Sequence, residues 1–167
     1  MKRMIACLLV IFIASFSYAQ HFKFMGVEIN GSATSFESKL KQKGFETEYV
    51  EFFFERLPVG LRGKYEGHNV AVYYECTPKT ELVFAVQLQF SDSGEASAKQ
   101  KVFGDICRVV EKKYPRYRKD IESSSIVDYF VSDGSEGQIH VDMSKEKVYV
   151  TFYDKKNSLL FRQEDNQ

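Results

Sequence analysis

The chain has 167 residues, 44% of them hydrophobic and 28% charged. That is enough for one domain with a real core, or two small ones sharing a core. Basic and acidic side chains number 23 each, and removing a leader that carries Lys2 and Arg3 leaves a net charge of about −2. This balance gives no electrostatic reason to expect nucleic acid or an anionic membrane as a partner.

The first residues supply an address. Lys2 and Arg3 precede a continuous apolar run over residues 5–16, and Ser17, Tyr18 and Ala19 resemble a small-x-small cleavage site. The pattern predicts a secretory signal peptide over 1–19, with Gln20 as the new first residue and a periplasmic or secreted product. The apolar run is too short to span a bilayer. A buried N-terminal helix and an uncleaved anchor are the other readings of the same run. Cys7 sits too early to be a lipoprotein cysteine. No other segment approaches transmembrane length, so none is expected after cleavage.

Residues 22–25 read as a short strand, and Asn30 with Gly31 as a turn. Ser32 or Thr34 caps a helix, Thr34 and Glu37 having capping-box spacing. Phe36 and Leu40 form its buried pair, and Gly44 followed by Phe45 ends it. Residues 50–55 fit an edge strand stopped by Pro58, and residues 61–66 another strand. Gly67, His68 and Asn69 form a turn.

Residues 69–90 hold the clearest pattern. Val70, Val72, Tyr74 and Cys76 alternate with Ala71, Tyr73 and Glu75. Leu82, Phe84, Val86, Leu88 and Phe90 alternate with Val83, Ala85, Gln87 and Gln89. Alternation of this kind buries one face of a strand and leaves the other partly wet. Pairing Cys76 with Leu82 aligns Tyr74 with Phe84, Val72 with Val86 and Val70 with Leu88, with a turn around Pro78.

Asp92 and Glu95 give a second capping signal. The helix that follows carries Val102, Phe103, Ile106, Val109, Val110 and Tyr114 as an apolar stripe, and Pro115 closes it. Residues 116–119 read as a loop. Val127, Tyr129 and Val131 are the inward set of the next strand. Ile139, Val141 and Met143 then pair with Phe152, Val150 and Val148 in a second hairpin. A C-terminal tail over residues 157–167 is expected to open with a short helix and then to be mobile.

The expected fold class is α+β: an antiparallel sheet with helices packed on one face, in a single domain over 20–156. Residues 32–90 and 92–154 share length and element order, so two helix-plus-three-strand units are a possible internal repeat. Any α+β chain with regular spacing is the competing explanation. Signal peptide followed by helix and antiparallel strands in two successive units resembles the β-lactamase-inhibitor-protein-like architecture, shared with small outer-membrane assembly lipoproteins. The segment GVEINGSATSFESKLKQKGF, residues 26–45, resembles the opening of uncharacterised exported proteins of the Bacteroides group. The resemblance implies a binding or inhibitory module. The chain departs from the assembly lipoproteins in lacking a lipidated cysteine.

Cysteine usage adds one expectation. Cleavage leaves Cys76 and Cys107, an even count in an oxidising compartment, and a disulfide between them is possible. It requires the second helix to lie along the central hairpin. Two buried free thiols are the alternative.

Catalytic signatures are sparse. No Gly-x-Ser-x-Gly elbow, phosphate loop, dinucleotide glycine pattern or calcium loop is present. His140 and Asp142 share a strand face and could orient a base or bind a metal, but no third ligand has recognisable spacing. No cofactor and no metal are therefore expected. What remains is the outward sheet face, with Tyr73, Gln87, Gln89, Gln138, His140, Tyr149, Thr151 and Tyr153. Tyrosine supplies contact area and a hydrogen-bonding tip, which suits recognition. The sequence thus points to a non-enzymatic binding or inhibitor-like module that recognises a protein or envelope component through Tyr73, Gln87, Gln89, His140, Tyr149 and Tyr153. A small hydrolase or metal-dependent enzyme using His140 and Asp142 is the alternative.

Overall fold

The computed structural model describes residues 20–52, 55–91, 95–132 and 136–166. The predicted leader and the cap at Asp92 lie outside them. Two short strands, β1 (Lys23–Phe24) and β2 (Val27–Glu28), form a hairpin of their own. It is joined by Met25 and Gly26, both at positive φ. Its apolar flanks Phe22, Phe24, Val27 and Ile29 are all buried.

Helix α1 (Ala33–Lys41) is capped by Ser32, whose hydroxyl accepts from the Ser35 N–H at 3.4 Å. Phe36 and Leu40 are its buried pair. Gly44, at φ +90, releases the chain and Phe45 buries behind it, a left-handed helix end with an apolar follower. Four strands then run as a meander: β3 (Glu46–Phe52), β4 (Glu55–Tyr65), β5 (His68–Cys76) and β6 (Val83–Phe90). Glu66 and Gly67, at φ +50 and +86, make the tight turn between β4 and β5; positive φ at both central residues matches the twist of a two-residue hairpin.

Helix α2 (Ala96–Lys113) starts with Glu95 at its cap and buries Val102, Ile106 and Val110. A second meander follows: β7 (Tyr117–Ser123), β8 (Ile126–Ser132), β9 (Glu136–Met143) and β10 (Val148–Asp154). Helix α3 (Lys155–Asp165) continues directly from β10.

The eight strands β3 to β10 form one antiparallel sheet in the order β3-β4-β5-β6-β10-β9-β8-β7. The order is palindromic. Each half is a helix followed by a four-strand meander, and the halves meet through their last strands, β6 and β10. The outermost strand of each meander is the one that raises the number from the expected three. Strand β7 occupies part of the stretch read as a loop. Strand β4 also runs through Pro58 rather than stopping there, because Pro58 sits where the register with β3 shifts between Glu48 and Tyr49. A bulge is where a residue without an N–H is tolerated.

The second hairpin has the expected register, Val148 with Met143, Val150 with Val141 and Phe152 with Ile139. The central hairpin does not. Val70 faces Phe90, Val72 faces Leu88 and Tyr74 faces Val86, two residues away from the expected pairing. A shift of two keeps side chains on their faces, except at the bulge, where Val83 turns into the core and Phe84 leaves it. The loop dictates it. The Thr77 hydroxyl accepts from the Leu82 N–H at 2.9 Å, and Leu82 bridges to Ser32 instead of Cys76.

One core fills the inner face. Val72, Val86, Leu88, Val150, Phe152, Ile139, Val141 and Tyr129 come from the sheet, and the buried residues of α1 and α2 lie in the same cluster. The N-terminal hairpin plugs it: the Phe24 and Phe152 ring centroids are 5.2 Å apart. Gly137 leaves room for Phe22, since a Cβ there would meet that ring at 2.4 Å.

Candidate functional site

The sheet leaves its other face for contact. Strand registers align Asp128, His140, Thr151, Gln87 and Tyr73 in one row across five strands. A parallel row holds Phe130, Gln138, Tyr153, Ala85 and Glu75. On the other side lie Ile126, Asp142, Tyr149, Gln89 and Ala71. The six residues singled out for binding, Tyr73, Gln87, Gln89, His140, Tyr149 and Tyr153, therefore share one continuous surface. All six are partly exposed.

Asp128 is the polar centre of this surface. It is only 5% exposed. Its Oδ1 accepts from the Gln138 amide at 2.8 Å and lies 3.0 Å from His140 Nδ1. The partner of His140 is thus across the strand pair, and Asp142 belongs to the next row beside Tyr149. The His140–Asp142 pairing expected from their i, i+2 spacing is replaced by a cross-strand bond, since directly opposite residues are closer than alternate ones on one strand. Among the described residues no group of three His, Cys, Asp or Glu side chains is arranged to hold a metal ion.

Two of the tyrosines, Tyr73 and Tyr153, are shifted upward. Burial, then the carboxylate of Glu48 and the neighbouring Tyr149, push the Tyr73 phenol above its ordinary value. Burial, Glu75 and Asp128 do the same to Tyr153 against an opposing bond from Thr151. Both therefore keep their proton as donors at neutral pH.

Helix α3 turns this face into a groove. A register shift between Glu75 and Cys76 lets Cys76 face Val83 while Glu75 faces Ala85, so Phe84 is the extra residue. Phe84 leaves the inner core and stacks on Phe161 of α3, with centroids 4.6 Å apart. Phe161 and Leu159 then face Phe130, Tyr153, Gln138 and His140 across an open groove of ≈ 720 Å³. Glu122 and Arg162 stand among its lining residues.

Three polar anchors hold α3 there, and none is apolar. Asp154 caps the helix by accepting from the Asn157 N–H at 2.8 Å, and its other oxygen accepts from the Phe22 N–H at 2.7 Å. The buried Asn157 amide donates to the carbonyls of Ile29 and Val83, at 3.1 and 2.9 Å. Glu164 accepts from the Lys79 and Thr80 N–H groups at 2.8 and 3.2 Å and from the Thr80 hydroxyl at 2.8 Å. Burial raises the Glu164 carboxyl, but these donors together hold it below the ordinary glutamate value. The predicted C-terminal tail is therefore a packed wall of the site.

Cys76 and Cys107 are free thiols. The expected bond needed the second helix to lie along the central hairpin, whereas α2 packs over β9 and β10. Cys107 sits beside Tyr129, Lys119 and Glu111, and Cys76 beside Glu81. Burial pushes both thiols up, which makes them poor nucleophiles. The cysteines take no part in the outer face.

Sequence reading missed Asp128, Phe84 and Phe161 as parts of this site. Asp128 was legible in principle, as the out-of-phase polar residue between inward Val127 and Tyr129. Phe84 was hidden by the bulge. No helix among the described residues is long and apolar enough to cross a membrane, which leaves strand-based crossing unaddressed. Comparison with family models, with curated proteins and with solved structures found no match.

Proposed function

We propose that the chain is an exported binding or inhibitor-like module that recognises a protein or envelope component through its outer sheet face. The observation that carries this reading is the union of both halves in one sheet. It gathers three tyrosines, two glutamines and His140 on a single surface. Helix α3 walls that surface at one end. Rigid strands hold such side chains better than loops do, and aromatic residues with polar tips suit a recognition surface. The palindromic pair of helix-plus-meander units is consistent with the two-unit architecture that the sequence resembles. In the catalytic alternative the carboxylate bonded to His140 is Asp128 and not Asp142.

The test is a pull-down from envelope extract with the wild-type chain and a Tyr73→Ser, Tyr149→Ser, Tyr153→Ser variant. Capture should be lost in the variant while its circular dichroism stays native. Equal capture by both would reject the outer face as the recognition surface. Mass spectrometry of the exported protein should show a chain starting at Gln20, and an intact Met1 would reject export by cleavage.

A further inference from the structure

The distribution of charge between the two sides of the sheet is uneven. On the helical side and at the turns, several carboxylates are matched. Glu37 pairs with Lys41, Glu66 with Lys113, Glu111 with Lys119 and Asp105 with Arg108. On the outer face Glu75, Asp120, Glu122 and Asp142 form no ion pair among the described residues. They surround the tyrosines rather than forming a separate patch. Glu75 is in the row of Tyr153, and Asp142 faces Tyr149 directly. Glu48 adds a fifth carboxylate beside Tyr73, with one oxygen buried and without a hydrogen-bond partner. Of the outer-face arginines, Arg62 pairs with Glu46 and Arg118 lies over the Phe130 ring at 4.5 Å, while Arg162 stands with Glu122 at the rim of the groove.

Unpaired like charges on one face repel each other, and a complementary surface relieves that repulsion. The aromatic residues among them narrow the chemistry further. Lysine and arginine combine a cationic head with an apolar stem, and a guanidinium also stacks on aromatic rings. Arg118 on Phe130 shows that contact within the chain itself.

We infer that the outer face docks a basic, lysine- and arginine-bearing surface of a partner protein, with Tyr73, Tyr149 and Tyr153 as contact area and Glu75, Glu122 and Asp142 as charge partners. This rests on the binding-module reading and names its partner's chemistry. Electrostatic complementarity of this kind acts mainly on association rate and on partner choice, and it weakens with salt.

The experiment titrates the exported chain with an oligo-arginine peptide, and separately with oligo-glutamate, followed by amide resonances. Oligo-arginine should shift Tyr73, Gln87, His140, Tyr149 and Thr151. The Glu75→Gln, Glu122→Gln, Asp142→Asn variant should bind it about tenfold more weakly. Oligo-glutamate should shift none of them. Shifts confined to the helical side, or equal affinity in the carboxamide variant, would overturn the inference. The same variant in the envelope pull-down separates the two claims. Capture that depends on the tyrosines but survives both the carboxamide changes and high salt rejects a basic partner and leaves recognition standing. Capture that ignores the tyrosines rejects both. Capture abolished by the tyrosine changes, by the carboxamide changes and by salt supports both.

Discussion

Asp128 Oδ1 lies 3.0 Å from the Nδ1 of His140, one strand away, and the same oxygen accepts the Gln138 amide. A buried carboxylate thus fixes two side chains of the outer face. Replacing Asp128 with alanine removes the acceptor that holds both donors. Unfolding in urea should show a loss of about 2 kcal/mol. Asp142→Ala, on the same face but outside this network, should change stability by less than about 0.5 kcal/mol. Equal losses would mean that Asp128 is no anchor.

Asn157 makes the prediction for α3. Its amide reaches two carbonyls from different parts of the chain, Ile29 and Val83, and is itself buried. Asn157→Ala should cost about 2 to 3 kcal/mol, since two buried acceptors lose their donor. Thermal melting checks the loss. Hydrogen exchange should also rise in α3 before it rises in β10.

Glu164 predicts a dependence on pH. Its folded carboxyl is held below the ordinary value of 4.5. A depressed folded value contributes stability that is complete above the unfolded value and is lost as pH falls through the folded one. The melting temperature of the wild type should therefore exceed that of Glu164→Gln at neutral pH. The gap should close as the pH is lowered below 4.5. A gap independent of pH would show that the carboxylate charge does not hold the Lys79–Thr80 loop.

The thiols give a direct chemical check. Alkylation of the denatured chain without reductant should add two groups to the exported protein, one on Cys76 and one on Cys107. Under native conditions both should react slowly, because burial pushes both thiols up. No added mass would place a disulfide between them and move α2 towards the central hairpin.

Legibility in the sequence followed the physics of each element. The β9–β10 register was readable because Ile139, Val141 and Met143 meet Val148, Val150 and Phe152 in unbroken alternation. The β5–β6 register was readable only to within a period of two, as alternation fixes the face but not the pairing. The loop hydroxyl of Thr77 settles the rest. Strand β7 was invisible because Arg118, Lys119 and Asp120 give no apolar period, and even its Ile121 is 61% exposed. Helix α3 was half-seen for a related reason: its buried residues are Asn157 and Glu164, so no apolar stripe marks it. The outer-face residues came out together because strand parity is robust, while Phe84 escaped because a bulge breaks that parity.

The palindromic order of the strands bears on how the chain reaches this state. Within each meander, sheet neighbours are also neighbours in sequence, so most pairings close short loops. The seam is different: Gln89 pairs with Tyr149 across the whole second half. That closure spans the longest sequence separation in the sheet, and long-range pairing of this kind is the slower kind to form. Until β10 has been made, β6 waits with one edge unpaired beside Val86, Leu88 and Phe90. A growing chain therefore passes through an interval in which its most apolar strand is open to pairing with a stranger.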